Sequence, residues 1–126
     1  METKLATTIF EALSSDVRLD LFRLLVKYAP DGMVAGEIAK HLNVTNTNLS
    51  FHLKALLHAG LVTMEKEGRF LRYRANIPAM LDIIAYLTAE CCSGHPDQCR
   101  NYRAAGSVSP EVLRECGFAE KKAEKK

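Results

Sequence analysis

The sequence predicts a mainly α-helical domain with one small β-hairpin, in the order ααααββα, that works as a dimer. Three observations predict it. Apolar residues recur at helical spacing in five separate stretches. The period changes between residues 61 and 75, where Glu67-Gly68 splits two short runs of mixed apolar and charged residues. The last helical stretch is apolar around more of its circumference than one small domain can cover. With 126 residues, 48% hydrophobic and 25% charged, the chain holds enough apolar material for a single core and no second one.

In the first helix, residues 4–13, Leu5, Ile9 and Leu13 recur every four positions, widened by Ala6 and Phe10. Ser14 and Ser15 then offer caps and Asp16 suits a first turn, so a second helix runs to Tyr28 with Val17, Leu21, Leu24 and Leu25 inward. Pro30, Asp31 and Gly32 end it. Ile38, Ala39 and Leu42 make a third helix, closed by Asn43, a residue that tolerates the left-handed conformation. Val44 fills a tight turn, Thr45 caps a fourth helix, and Leu49, Leu53, Leu56 and Leu57 form its buried stripe before Gly60 stops it.

The outer face of that fourth helix is the informative one. Asn46, Thr47, Asn48 and Ser50 place short polar groups on its first turn, with no charge between Thr45 and His52, whereas a solvated helix ordinarily carries Glu and Lys there. Short amides and hydroxyls bond to base edges, and a helix N-terminus attracts phosphate. Two helices around a tight turn, the second entering DNA by its first residues, make a helix-turn-helix. The bland alternative is an ordinary polar helix start.

A hairpin follows over residues 61–75, with Gly68 supplying the positive φ of a tight turn. Beside a recognition helix a hairpin is a wing, and Arg69 at its tip, with Lys66, can reach phosphates; otherwise such charges only guard a strand edge. Net charge is +2, so distribution must carry any nucleic-acid reading. From His52 to Arg74, Lys54, Lys66, Arg69, Arg72 and Arg74 stand against Glu65 and Glu67, a local +3.

Asn76 caps a last helix that tolerates Pro78 in its first turn. Met80, Ile83, Ile84 and Leu87 form one stripe, with Leu81, Ala85 and Thr88 beside it. Leu5, Ile9, Ile83, Ile84 and Leu87 are the residues expected at a dimer interface. One domain is expected over residues 1–99, followed by a flexible tail over 100–126 that ends in AEKKAEKK.

No apolar run approaches the ~20 residues of a membrane span, and no secretory signal is evident, so the chain is expected to be cytoplasmic. Its four cysteines are then not expected to be structural disulfides. Cys91 and Cys92 end the last helix, and Cys99 lies beyond a turn-forming stretch containing Gly94 and Pro96. Three thiolates folded onto one point suit a soft, three-coordinate ion, As(III) or Sb(III). His95 as a fourth ligand keeps Zn(II), Cd(II) and Pb(II) open, and a sulfenic acid resolved by a neighbouring thiol is a further alternative. Cys116 stands alone as a bystander. The sequence has no phosphate-cradling glycine loop, hydrolase elbow or evident carboxylate pair, so no catalysis is expected.

The order of parts from Leu5 to Cys99 resembles the ArsR/SmtB family of metalloregulatory repressors. LSSDVRLDLFRLL looks like the family's second-helix motif, VTNTNLSFHLKALLHAGLV its reader and EGRFLRYR its wing. The resemblance implies that Thr45, Asn46, Thr47, Asn48, Ser50 and His52 face double-stranded operator DNA. It also implies a homodimer with a winged helix-turn-helix fold, released from the operator by arsenite or antimonite. The family's Cys-x-Cys site before the reader is absent, with Val34 and Gly36 in its place. Its paired-helix zinc site is absent too, since Asp82 has no His partners along the last helix. The cysteines here resemble those of members whose arsenite thiols lie at the end of that helix. A redox-responsive regulator, and a dimeric interaction module without DNA binding, are the remaining readings.

Overall fold

The computed structural model describes residues 1–107. Six helices and a three-stranded antiparallel sheet follow one another: α1 (Thr3–Ala12), α2 (Asp16–Lys27), β1 (Met33–Val34), α3 (Ala35–Leu42), α4 (Asn46–His58), β2 (Val62–Glu67), β3 (Phe70–Ala75), α5 (Ile77–Thr88) and α6 (Pro96–Ala105). The chain divides into two compact units, up to Met80 and from Leu81 on, with α5 running from the first into the second.

The first unit is the expected winged helix-turn-helix. Ser15 caps α2 through the Arg18 amide, and Thr45 caps α4 through the Asn48 amide. Asn43 closes α3 at φ 53° and ψ 49°, the left-handed conformation expected of it. Leu21, Leu25, Ile38, Leu49, Leu53, Leu56 and Leu61 are almost completely buried, joining α2, α3 and α4 in one core. Phe22 is buried, while Val17 and Leu24 of the expected α2 stripe are only half-buried.

Two elements differ from expectation. Met33-Val34 forms a strand that pairs with β3, Met33 opposite Tyr73 and Val34 opposite Arg72, so the sheet order is β1-β3-β2. Gly32 allows it, since at φ +74° its Cα lies so close to the sheet that a Cβ would fall 2.3 Å from the Tyr73 carbonyl oxygen. The second difference is α6, which continues to Ala105 across the boundary expected after Cys99. Cys99 is its one buried residue, so it lacks the apolar stripe by which the other helices are legible. The remainder of the expected tail, from residue 108, lies outside the described residues, as does Cys116.

Candidate functional site

The outer face of α4 presents Thr45, Asn46, Thr47, Asn48 and Ser50 to solvent, with no acidic residue in the first turn. The Thr45 hydroxyl accepts the Asn48 amide at 3.1 Å, so its first task is to cap the helix. His52 is half-buried and its Nδ1 lies 3.3 Å from Arg18 Nη1 on α2. Phe51, which a search for polar base readers passes over, stands on the same exposed face at 69% exposure.

On the wing, β2 and β3 join through the two-residue turn Gly68-Arg69, with Gly68 at φ +61° and Glu67 opposite Phe70. Arg72 bonds Glu67 through Nε, and Arg74 bonds Glu65. Lys66 and Arg69 are exposed and have no ion-pair partner among the described residues. Four of the wing's charges therefore cancel in pairs, and the cations left over are those at the tip.

The cysteines converge as expected. After α5, the chain turns through residues 89–94, with Cys92 at φ +54° and Gly94 at φ +80°. Positive φ is uncommon for a residue with a side chain, and here it folds Cys92 back so that its Sγ lies 3.7 Å from Cys91 Sγ. Cys99, in the first turn of α6, brings its Sγ within 3.9 Å of Cys91 Sγ. All three sulfurs lie within 4.8 Å of one another, and no fourth His, Cys, Asp or Glu joins them among the described residues. His95 instead donates from Nδ1 to the Ser93 carbonyl at 3.3 Å.

Sulfurs held at about 2.3 Å by a tetrahedral zinc would stand roughly 3.8 Å apart. The observed spacing fits a single shared ion, and the ligand number is what separates one ion from another. Cys91 and Cys92 are free thiols while Cys99 is disulfide-bonded, which corrects the expectation that none of the cysteines is bridged. The form able to present three thiolates is therefore the reduced one. Partial desolvation holds the Cys92 thiol above its ordinary pKa, the neighbouring Cys91 acts in the same direction through a hydrogen bond and its charge, and Arg103 on α6 opposes them.

The residues expected at a dimer interface divide into two groups. Ile9 is 1% exposed and Ile83 7% within a single chain, so both are largely covered by their own chain. Leu5 (47%) and Leu87 (61%) project outward, and Ile84 is half-buried. Leu81 and Phe10 are exposed as well, so α1 and α5 each keep an apolar surface.

Residues 13–65, spanning α2 to the middle of β2, match the family model described as a helix-turn-helix domain. The arsenical resistance operon repressor of Staphylococcus aureus is 30% identical over 104 residues, covering 82% of this chain and 97% of the relative. The HTH-type transcriptional regulator CmtR of Mycobacterium tuberculosis is 41% identical over 91 residues, 71% of this chain and 77% of the relative. Among solved structures, an ArsR-like transcriptional regulator from Rhodococcus superposes with a TM-score of 0.64 at 26% identity, covering 83% of this chain and 96% of that one. Relatives matched over most of their length, with the reader and wing in their expected places, establish that this chain belongs to the ArsR family of winged helix-turn-helix transcriptional regulators.

Proposed function

We propose that the protein is a homodimeric repressor that releases its operator when Cys91, Cys92 and Cys99, fully reduced, bind As(III) or Sb(III). The observation that carries this reading is the cluster itself: three sulfurs within 4.8 Å of one another, without a fourth protein ligand among the described residues. Three thiolates complete the shell of a pyramidal trivalent ion, whereas Zn(II) prefers a fourth donor, and no histidine nitrogen joins the three sulfurs among the described residues.

Exposed leucines on α1 and α5 supply the dimer contact, and two copies place two α4 helices in half-sites about one helical turn apart. Ion binding clamps the turn after α5 to the start of α6. Because α5 is continuous from the first unit into the second, tension at its C-terminal end alters how the two copies hold each other, and the half-site register is lost. A coupling of roughly 1–3 kcal/mol is the usual size of such links.

The test is a titration of the reduced protein on its own promoter DNA with As(III), Sb(III), Cd(II), Zn(II) and Pb(II), followed by fluorescence anisotropy. Release by As(III) and Sb(III) at stoichiometric ion is expected. Release by a divalent cation alone would move the site to that ion, and release by peroxide, reversed by thiol, would make the cluster a redox sensor.

A further inference from the structure

We propose that Phe51 is a specificity-determining residue that reads the C5 methyl group of a thymine in each operator half-site; the inference rests on the family's DNA-binding role and on α4 as the reader. Phe51 is 69% exposed on a helix whose inner face is completely filled by Leu49, Leu53 and Leu56. At 100° per residue, Phe51 points almost directly away from those leucines. It shares that outward direction with Thr47, one turn earlier, and is flanked by Ser50 and Lys54, all exposed.

A large aromatic ring left in water on this face forgoes the stabilisation that burial would bring. Its surroundings on the helix are polar, so it is no part of a broad apolar patch of the kind that marks a protein interface. The ring is also held in place, because the His52 imidazole meets it edge to face, with centroids 5.7 Å apart and planes at 70°.

In the major groove, the thymine methyl is the one apolar feature that distinguishes a base edge, and Phe and the Thr methyl are side chains that contact it. Asn46, Asn48 and Ser50 can read hydrogen-bonding edges but none can detect a methyl group. Phe51, with Thr47 behind it, completes the alphabet of this helix face.

The experiment separates this reading from the DNA-binding role itself. Wild-type full-length protein selects its preferred duplex from a random-sequence pool, and each thymine of that duplex is then replaced singly by deoxyuridine, which removes only the methyl. At one thymine per half-site the wild type should lose about fourfold in affinity, the equivalent of about 0.8 kcal/mol for one buried methyl-sized group. Phe51→Ala should bind the thymine and deoxyuridine duplexes equally, and Phe51→Leu should restore part of the difference. If wild type binds tightly yet no deoxyuridine position matters, or if Phe51→Ala keeps the full thymine preference, the inference is overturned while the DNA-binding reading stands. If no sequence is enriched from the pool at all, both fall.

Discussion

Arg18 on α2 donates from Nη1 to Nδ1 of His52 on α4 at 3.3 Å, and its Nε donates to the Ala12 carbonyl at 2.7 Å. A guanidinium can only donate, so Nδ1 must accept, and the neutral imidazole carries its proton on Nε2. One side chain thus ties the end of α1 to the reader and fixes which hydrogen-bonding character His52 presents. A donor at Nε2 suits a phosphate oxygen or a guanine edge.

Arg18→Met should therefore weaken operator binding without removing any group that touches DNA. Its effect should overlap with that of His52→Gln, so the double variant binds about as well as the weaker single one. Residues sharing a hydrogen bond typically couple by roughly 0.5–3 kcal/mol in a double-mutant cycle. Anisotropy titrations of the four proteins check it; full additivity would show that the two residues act independently.

Base and phosphate recognition should separate cleanly by salt. Replacing Asn46 or Asn48 by Ala is expected to cost roughly 1–3 kcal/mol on the preferred duplex and to relax preference at one position per half-site. Arg69→Ala should weaken binding on every sequence and reduce the log–log salt slope by about 0.9 for each phosphate left without its cation. Arg72→Ala removes the closer of the two cations beside Glu67, leaving that acid only Arg74 at 3.9 Å, so it should weaken binding modestly by making the wing less positive. An Arg69→Ala protein with an unchanged salt slope would remove the wing tip from the interface.

Assembly is expected to depend on the residues that project. Leu87→Glu and Leu5→Glu should give folded monomers that bind operator weakly. Ile9→Glu should instead lose helical circular dichroism, because it forces a charge into a site 1% exposed. Sedimentation and circular dichroism on the same samples distinguish the two outcomes, and a Leu87→Glu dimer of unchanged stability would place the interface elsewhere.

The ion response should vanish in Cys91→Ser, Cys92→Ser and Cys99→Ser while DNA binding persists, and survive in Cys116→Ser. The pH dependence identifies the ion class. A raised Cys92 thiol remains protonated near neutrality, so a divalent cation must displace its proton, and affinity climbs about tenfold per pH unit for each proton released. Arsenous acid brings its own hydroxides, which leave with the thiol protons as water. Its equilibrium should be nearly independent of pH over the same range, while its rate, set by thiolate, rises. Calorimetry of the reduced protein at several pH values reads both slopes.

Gly32→Ala should destabilise the first unit more than any exposed substitution. A side chain at φ +74° costs about 1–2 kcal/mol from backbone conformation alone, and its Cβ would also meet the Tyr73 carbonyl oxygen at 2.3 Å. Denaturant unfolding measures it.

Much of the fold is legible in the sequence because apolar period survives folding. The reader shows itself through Leu49, Leu53 and Leu56 on one side and short amides on the other. Met33-Val34 does not, since two residues have no period and the partner strand lies about forty positions away. Helix α6 is hidden because Cys99 is its one buried residue. The burial of Ile9 and Ile83 within one chain is not legible, because a stripe shows which face is apolar and not whose surface covers it. Arg18 gives no signal at all, its role arising from a partner thirty-four residues away. Phe51 can be found by asking which apolar residue the leucine stripe leaves outside.

The short strand β1 ends at Val34 and α3 begins at Ala35, with no loop between them. Since β1 is also hydrogen-bonded to β3, the wing is fastened to the entrance of the helix-turn-helix as well as to its exit. A hairpin attached at one end could swing to suit different groove widths. Here the base of β3 is held by Met33 and Val34, so helix and wing are expected to approach a duplex as one body, and a duplex that does not match their spacing would itself have to deform to be held.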